Sequence, residues 1–305
     1  MKVIVAGGSG FIGSALCSSL VQDGHEVVVL ARGTSSPATA PSALRRVQWD
    51  GQSLGDWMAE VEGADAIINL AGVSIAARPW SAARKRLLRS SRIEPTSALV
   101  GAIRRTARRP PLLINASAVG FYGDTMDETV GEGHAPGTDF LARLVVDWEA
   151  AARGAIELGT RVVLMRQGII LGPGGGALPL LALPFRLFVG GTIGSGKQWV
   201  SWIHIDDVVG LYRFAIDRPD VAGPVNVTAP TPVTNRELAA ALARALGRPS
   251  WISVPAVALR LALGGLGDAI LTSQRVIPMA AQRLGYAFRE PELGRALRRS
   301  LGRDA

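Results

Sequence analysis

The residues best suited to chemistry form a glycine-rich loop close to the start of the chain. Gly7, Gly10 and Gly13 follow an apolar run at 3–6 and open an amphipathic segment. In such a loop the first glycine permits a tight turn, the second lets the backbone approach a diphosphate, and the third lets the helix pack against the strand. The helix start adds unpaired N–H groups and the positive end of its dipole. The pattern favours dinucleotide binding over a plain structural turn. The residues expected at the diphosphate are Gly7, Gly10, Phe11, Ile12 and Gly13.

The end of the second predicted strand bears on the choice of cofactor. The run at 26–30 leads into Ala31, Arg32 and then small hydroxyl residues, Thr34 and Ser35. A site for NAD would place Asp or Glu here to accept from the ribose 2′-hydroxyl, whereas a guanidinium can pair with the 2′-phosphate of NADP. An ordinary exposed arginine is the alternative interpretation. The absence of a carboxylate at this strand end favours NADP.

Two further strand ends carry residues suited to a site. The segment 69–72 ends one strand in a turn of small residues, which lets the backbone pass alongside a cofactor, and Ser117 ends the next. Ligands of open α/β sheets bind at the carboxyl edge, where both segments are expected. Ser117 is therefore a candidate active-site residue, with a simple strand-end cap as the alternative.

The elements that must position these residues alternate between β-branched runs and helical patterns. Continuous apolar strands between helices are typical of a parallel sheet covered on both faces. We predict an α/β fold, a Rossmann doubly wound parallel sheet with a smaller, mostly helical C-terminal lobe. The predicted Rossmann domain covers 1–170, completed by segments near 203–228, and a substrate-binding lobe covers 171–202 and 229–305. The predicted strands are Lys2–Ala6, Glu26–Leu30, Ala66–Leu70, Leu112–Ala116, Arg161–Arg166, Trp202–Ile205 and Pro224–Thr228, and the predicted helices are Phe11–Asp23, Ser81–Thr106 and Asp139–Leu158.

Composition narrows the class of protein and its partners. The 305 residues are 48% hydrophobic and 19% charged, with a formal net charge of +8. The basic residues fall in separate runs, which favours solvated helix faces over a nucleic-acid groove and fits anionic small molecules equally well. Cys17 is the single cysteine, no signal-peptide pattern opens the chain, and the apolar stretch 177–189 is too short to span a bilayer. We expect a cytoplasmic protein with a small-molecule substrate, without nucleic acid or membrane; a homodimer is left open.

Other site types find little support in the sequence. The three histidines are widely separated and lack metal-ligand spacing, so no metal is expected. The glycine cluster at 172–176 lacks the Lys-Ser/Thr of a phosphate-binding P-loop. Gln198 and Trp202 lie near the predicted mouth of a pocket and are candidate substrate contacts, since aromatic rings stack on ring-bearing substrates. Burial of these residues as core is the equal alternative.

Several distinctive stretches together resemble one known family. The glycine loop, the 69–72 turn and residues 117–123 resemble the extended short-chain dehydrogenase/reductase superfamily. The remainder resembles its atypical subfamily usually labelled "epimerase family protein", with a C-terminal helical extension. The stretches that carry this resemblance are Trp80–Arg84, Ser91-Arg92, Asp147–Ala151, Arg166–Gly172, Gly190–Gln198, Ser201–Asp207, Asn226–Pro230 and Ser273–Val276.

The resemblance implies a Rossmann fold, NADP binding and a pocket beneath the C-terminal lobe. Relatives in cyanobacteria and plastids have been connected with division, so it also leaves room for a non-enzymatic role. The cofactor contacts that it implies are Ala31, Arg32, Leu70, Ala71, Gly72, Arg92, Ser117 and Arg166.

The catalytic Tyr-x-x-x-Lys pair of the superfamily is missing from this chain. The best alignment of the corresponding helix puts Phe140 at the Tyr position and Leu144 at the Lys position, and neither can transfer a proton. Tyr122, in a Phe-Tyr-Gly segment, is a structural ring or a replacement catalytic residue. Asp124 or a water held by Ser117 are further candidate acids. We therefore expect an NADP-dependent oxidoreductase or epimerase-like enzyme on an unidentified small molecule, with a non-catalytic NADP-binding regulator or scaffold as the alternative.

Overall fold

A computed structural model describes residues 1–33 and 43–303 of the chain. Thr34 and Ser35, the hydroxyl residues that follow the second strand in sequence, lie outside the described residues. The strands are β1 (Lys2–Ala6), β2 (Glu26–Ala31), β3 (Leu44–Gln48), β4 (Ala66–Asn69), β5 (Leu112–Ala118), β6 (Thr129–Val130), β7 (Arg161–Gln167), β8 (Ile169–Gly172), β9 (Gly175–Gly176), β10 (Gly191–Ile193), β11 (Trp199–Val200), β12 (Trp202–His204), β13 (Gly223–Val227), β14 (Val233–Thr234), β15 (Ile252–Val254) and β16 (Arg275–Val276). The helices are α1 (Phe11–Gln22), α2 (Ala82–Arg105), α3 (Phe140–Arg153), α4 (Leu178–Arg186), α5 (Ile205–Asp217), α6 (Asn235–Leu246), α7 (Ala256–Leu263), α8 (Gly265–Leu271), α9 (Met279–Arg283) and α10 (Leu293–Ser300).

Seven parallel strands form the central sheet in the order β3-β2-β1-β4-β5-β7-β13. Successive β1 side chains point to opposite faces, and those of residues 3–6 are buried: Val3 and Val5 pack in one core, Ile4 and Ala6 in the other. A strand covered on both faces needs an uninterrupted apolar run, which is what the sequence supplies. The predicted Rossmann-like sheet is confirmed, and its carboxyl edge carries the ends of β1, β2, β4 and β5.

Two differences from the predicted elements have local causes. Strand β3 was not predicted, because its sequence Leu-Arg-Arg-Val-Gln has two apolar residues three positions apart and shows neither a continuous apolar run nor the alternation of a half-buried strand. The third helix was predicted to reach Leu158 but ends at Arg153. Gly154 caps it, and a short 3-10 turn then ends at Gly159, whose φ of +81° suits glycine.

The C-terminal region packs around a core of its own. Trp202 of β12, Leu238 of α6 and Leu297 of α10 belong to this cluster. Helix α6 begins at a capping box in which Thr234 and Glu237 bond to each other's backbone. The predicted late strand does return to the central sheet, where β13 pairs with β7. The division of the chain into two domains stays a prediction.

Candidate functional site

The turn between β1 and α1 is a close-packed glycine cradle. Gly7 has a φ of +77°, and a methyl group there would lie 2.8 Å from the carbonyl carbon and oxygen of Leu70. A methyl group at Gly13 would lie 2.6 Å from the Gly8 Cα atom. Gly10 donates its N–H to the Gly7 carbonyl at 3.0 Å and caps α1 without a side-chain bond. The first amides of α1 therefore have no side-chain acceptor, and the backbone is open to an anion.

Phe11, the first residue of α1, packs against the glycine hairpin β8–β9. Its ring lies so close to Gly172 that a methyl group there would be 2.8 Å from the ring carbon Cζ. Methyl groups at Gly175 and Gly176 would also meet the ring. The glycine cluster that lacks a P-loop signature thus supplies space for an aromatic side chain, which joins the glycine cradle to the C-terminal region.

The turn after β4 is fixed by a buried asparagine. Asn69 accepts the N–H of Ala71 at 3.1 Å and donates to Asn115 at 2.7 Å and to Thr96 at 2.9 Å. These bonds satisfy a fully buried amide and hold the backbone of Leu70 and Ala71 next to the glycine cradle. The structure therefore brings the 69–72 turn and the glycine loop together, as the sequence predicts.

Arg32 lies at the same edge, directly after β2. Gly7 donates to the Leu30 carbonyl at 3.4 Å, so the cradle and the end of β2 are in contact. The Arg32 side chain is exposed. No carboxylate follows β2 among residues 31–33, so the described strand end carries only a positive charge.

Arg92 projects from α2 toward the turn after β4. It donates to the carbonyl oxygens of Leu88 at 3.0 Å and Val73 at 3.1 Å, and its guanidinium carbon lies 5.3 Å from the centre of the Trp148 ring. Burial lowers the pKa of Arg92 to about 10, so the side chain remains a cation at neutral pH. It is a largely buried positive charge beside Gly72.

Ser117, Tyr122 and Arg166 belong to one buried polar network. Ser117 donates to a carboxylate oxygen of Glu149 at 2.6 Å, and Arg166 donates to both Glu149 oxygens at 2.7 and 2.9 Å. Arg166 also donates to the Tyr122 hydroxyl at 3.0 Å, and that hydroxyl donates to Asn226 at 2.7 Å. None of these five side chains is more than 3% exposed. The network is satisfied within the protein and has no free surface toward a ligand.

Two of the candidate acids, Tyr122 and Asp124, are held in place by hydrogen bonds within the protein. Burial raises the pKa of Tyr122 above its ordinary value, which makes its hydroxyl a weaker proton donor. Asp124 accepts the N–H groups of Met126 at 3.0 Å and Ser273 at 3.3 Å. The catalytic roles of Ser117 and Tyr122, and the cofactor contact of Arg166, stay predictions, while the structure gives each a packing and hydrogen-bonding role.

Comparison with known proteins assigns the chain to a family. Residues 3–228 match the NAD dependent epimerase/dehydratase family. The chain belongs to this family. Residues 254–300 match a domain of unknown function, DUF1731, which corresponds to the predicted C-terminal extension.

Individual members of the epimerase/dehydratase family match along nearly their whole length. Epimerase family protein MT2273 of Mycobacterium tuberculosis is 44% identical over 97% of this chain and 96% of its own. The chloroplastic SDR39U1 homolog of Arabidopsis thaliana is 39% identical over 98% of this chain and 86% of its own. The crystal structure of human epimerase family protein SDR39U1 (isoform 2) with NADPH matches at a TM-score of 0.88 and 36% identity, covering 99% of both chains. The predicted resemblance to epimerase family proteins is confirmed.

In this epimerase/dehydratase family member, the two residues that the sequence alignment sets against the superfamily's Tyr and Lys lie in an apolar cluster. Phe140 and Leu144 pack with Trp80, Leu88 and Leu266. The rings of Trp80 and Phe140 meet edge to face with centroids 5.5 Å apart. The cluster joins α2, α3 and α8, so these two residues stabilise the packing of three helices and cannot exchange protons.

Gln198 and Trp202 lie in the interior. The Gln198 amide donates to the Ile193 carbonyl at 3.0 Å, and the Trp202 indole donates to the Thr231 carbonyl at 3.1 Å. Gln198 is 8% exposed and Trp202 is 1% exposed. Trp202 packs in the C-terminal core, and Gln198 is held by its bond to the backbone. Contact of either residue with a substrate stays a prediction.

The described part of the chain has neither a metal site nor a membrane helix. Within residues 1–33 and 43–303, no three His, Cys, Asp or Glu side chains are grouped to hold an ion. No helix in these ranges has the length and apolar character needed to cross a bilayer. His204 caps α5 by accepting the N–H of Asp206 at 3.2 Å.

Sequence reasoning missed Glu149 and Asn226. A helical period places Glu149 on the same face as Val145 and Ala152, which are buried, and this signal indicates an interior carboxylate. No comparable local pattern identifies Asn226, because its partners lie far away in the chain.

Proposed function

We propose that this chain is an NADP(H)-dependent oxidoreductase or epimerase-like enzyme that acts on a small molecule. The glycine cradle carries the proposal. Gly7 and Gly13 occupy positions where a side chain would collide with backbone, and the first turn of α1 presents uncapped amides at the carboxyl edge of the sheet. These features fit a diphosphate, for which close backbone approach and a helix N-terminus are the usual ligands.

Arg32 supports NADP over NAD as the cofactor. Its exposed guanidinium follows β2, next to the cradle, where an acidic residue would select the unphosphorylated ribose. The human relative was crystallised with NADPH, which favours the same cofactor here. Leu70 and Ala71, held by Asn69, would then lie along the dinucleotide.

Calorimetric titration with NADPH and NADH tests this proposal. Arg32→Glu should weaken NADPH binding by about 1.5–3 kcal/mol, the loss of one charge-assisted contact, and should leave NADH binding almost unchanged. Arg104→Glu, an equal charge change at the far end of α2, is the matched control and should keep both affinities. Equal losses for NADPH and NADH would contradict the role of Arg32. Failure of the wild type to bind either nucleotide would overturn the proposal.

The chemistry must proceed without the Tyr and Lys of the superfamily. A bound nicotinamide supplies the hydride or accepts it. The cluster around Phe140 and Leu144 excludes water from the neighbouring side, and Arg92 offers a fixed positive charge that favours a developing oxyanion. Proton transfer then falls to solvent or to the substrate, which fits substrates whose reduction needs little acid catalysis.

A second candidate is an NADP-binding regulator or scaffold without chemistry. The apolar residues at 140 and 144 favour it, because they remove the usual proton transfer while leaving the cradle intact. Loss of NADPH absorbance with a panel of carbonyl compounds and nucleotide sugars separates the candidates. Turnover with any compound supports the enzyme; none across the panel, with NADPH binding intact, supports the regulator.

A further inference from the structure

Helix α4 is apolar on both of its faces. Its inner face packs in the C-terminal core through Leu178 and Phe185. Its outer face is equally apolar although it lies in solvent, and the exposed side chains there and at the helix end are Leu180, Leu183 and Leu187. A helix that is apolar all round is usually buried in a large protein or in a membrane. The outer face of α4 has no such cover among the residues that the structure describes.

Two aromatic residues extend this apolar surface beyond the end of α4. Phe188 and Val189 follow the helix, and both are exposed. Trp251, which directly precedes β15, is 75% exposed, and its indole donates to the Phe188 carbonyl at 2.8 Å. Of the seven tryptophans, all within the described ranges, Trp251 alone is exposed. Because its N–H already has an acceptor, the ring presents only apolar surface to a partner.

The backbone at Phe188 has a conformation that is rare for a bulky residue. Its φ is +62°, in the left-handed region that favours glycine. Such residues persist where the surrounding structure holds them, and they cluster at functional sites. Here the conformation is held by the bond from Trp251, and the Arg248 guanidinium carbon lies 4.5 Å from the centre of the Phe188 ring. The chain therefore keeps an aromatic ring at the surface despite the cost in backbone energy.

The charge around this surface is positive. Arg186, three residues after Leu183 on α4, and Arg248, beside Phe188, are both exposed. In the described part of the chain, no Asp or Glu oxygen lies within 4.0 Å of the side-chain nitrogens of these two arginines. The segments 158–205 and 238–267, which supply the surface, contain no acidic residue. A second copy of the same surface would bring like charges together, whereas an anionic partner would neutralise them.

We infer that the outer face of α4, with Phe188, Val189 and Trp251, binds the surface of an anionic lipid bilayer. Leucine and aromatic side chains enter the boundary between headgroups and acyl chains, and arginines remain at the level of the lipid phosphates. The apolar stretch 177–189 is too short to span a bilayer, but contact with one leaflet requires no span. The inference therefore departs from the expectation that the chain has no membrane partner. It goes beyond the proposed function and does not depend on it.

Co-sedimentation of the full-length protein with lipid vesicles tests the apolar part of this surface. The vesicles contain phosphatidylcholine mixed with anionic phosphatidylglycerol. Leu187→Ser should bind them roughly fivefold more weakly than the wild type, because a leucine no longer enters the bilayer. Ile156→Ser is the matched control, since Ile156 is an exposed apolar residue of the turn between α3 and β7, and it should bind like the wild type. Circular dichroism checks that each variant keeps the fold.

A second pair of variants tests the charged part. Arg186→Glu/Arg248→Glu should bind the mixed vesicles at least about tenfold more weakly, because each arginine near an anionic surface adds affinity. Arg104→Glu/Arg105→Glu makes the same charge change at exposed positions at the other end of α2 and should stay within about twofold of the wild type. Wild-type binding should weaken at high salt and on vesicles of phosphatidylcholine alone.

Quenching by brominated phosphatidylcholine shows which residue enters the bilayer. Tryptophan emission of the bound wild type should be quenched. Trp251→Phe keeps an aromatic ring and should still bind, but it should lose most of this quenching.

Four results would overturn the inference. They are a wild type that ignores the mixed vesicles, equal binding to phosphatidylcholine alone, an equal loss in Ile156→Ser, and bound protein whose emission is not quenched. Sedimentation velocity without vesicles covers the remaining occupant. A dimer that Leu187→Ser dissociates would assign the surface to a second copy of the chain and would also overturn the inference.

Discussion

The buried pair of Arg166 and Glu149 allows a direct test of whether Ser117 and its neighbours are structural. Replacing Arg166 with Met removes both bonds to Glu149. It leaves that carboxylate with Ser117 and with Arg153, which lies 3.6 Å away and is half exposed. Removing one partner of a buried pair costs about 3–5 kcal/mol, because the other charge stays buried without compensation. We expect Arg166→Met to lose this much free energy of unfolding.

The double variant Glu149→Leu/Arg166→Met supplies the second half of the test. Both charges are then gone and two apolar side chains of similar volume replace them, so most of the loss should be recovered. Arg89→Met is the matched control: Arg89 pairs with Asp147 between α2 and α3, but both side chains are about half exposed. Its loss should cost about 0–1 kcal/mol. Ser117→Ala removes one bond to a carboxylate and should cost about 1.5–3 kcal/mol.

Equilibrium unfolding in urea, followed by circular dichroism and tryptophan fluorescence, measures these differences. Coincidence of the two signals establishes that a two-state free energy applies. The structural explanation fails if Arg166→Met behaves like the exposed control, or if the double variant loses as much as its two single changes combined. It also fails for Ser117 if Ser117→Ala keeps full stability yet abolishes turnover, because the hydroxyl would then act on a substrate.

Three further changes have defined outcomes. Gly13→Ala should weaken NADPH binding at least tenfold in calorimetry, because the added methyl group collides with the Gly7–Gly8 backbone. Gly133→Ala is the control and should bind NADPH normally, because a methyl group there enters open space. Similar NADPH affinities for the two variants would contradict the role of the glycine cradle. Leu144→Lys should not restore proton transfer. It should lower the free energy of unfolding in urea by about 3–5 kcal/mol, because it places an unpaired charge in an apolar cluster. Unchanged stability would show that this cluster is open to solvent. Burial lowers the pKa of His204 below its ordinary 6.5. The unfolded chain therefore binds a proton at this residue more readily than the folded chain does. Because of this difference, the free energy of unfolding should fall as the pH drops below about 6.5. His204→Asn keeps a helix cap but cannot titrate, and an equally steep pH dependence in that variant would exclude His204 as the cause.

The elements of the sheet were predictable because burial on both faces leaves a strong local pattern. The apolar runs of β1 and β7 are separated from their neighbours by helical segments, and this arrangement indicates buried parallel strands. Strand β3 could not be recognised because three of its five residues are polar and its two apolar residues do not alternate with them. The glycine loop was equally readable, since each glycine answers a local steric requirement of the turn.

The polar interior could not be predicted in this way, because its partners are far apart in the chain. Tyr122 and Asn226 are separated by 104 residues, and Ser117 and Glu149 by 32. A hydroxyl at a strand end looks the same in sequence whether it faces a substrate or a buried carboxylate.

The ring of Phe11 ties together two segments that lie about 160 residues apart in sequence. Its volume is accommodated only because Gly172, Gly175 and Gly176 carry no side chains. These four positions therefore occupy one shared volume. A larger residue in the hairpin requires a smaller one at position 11. A smaller residue at position 11 leaves a void that the hairpin must move to fill. Among homologues, substitutions here should occur as compensating sets, and an aromatic residue at the start of α1 should accompany glycine in the hairpin.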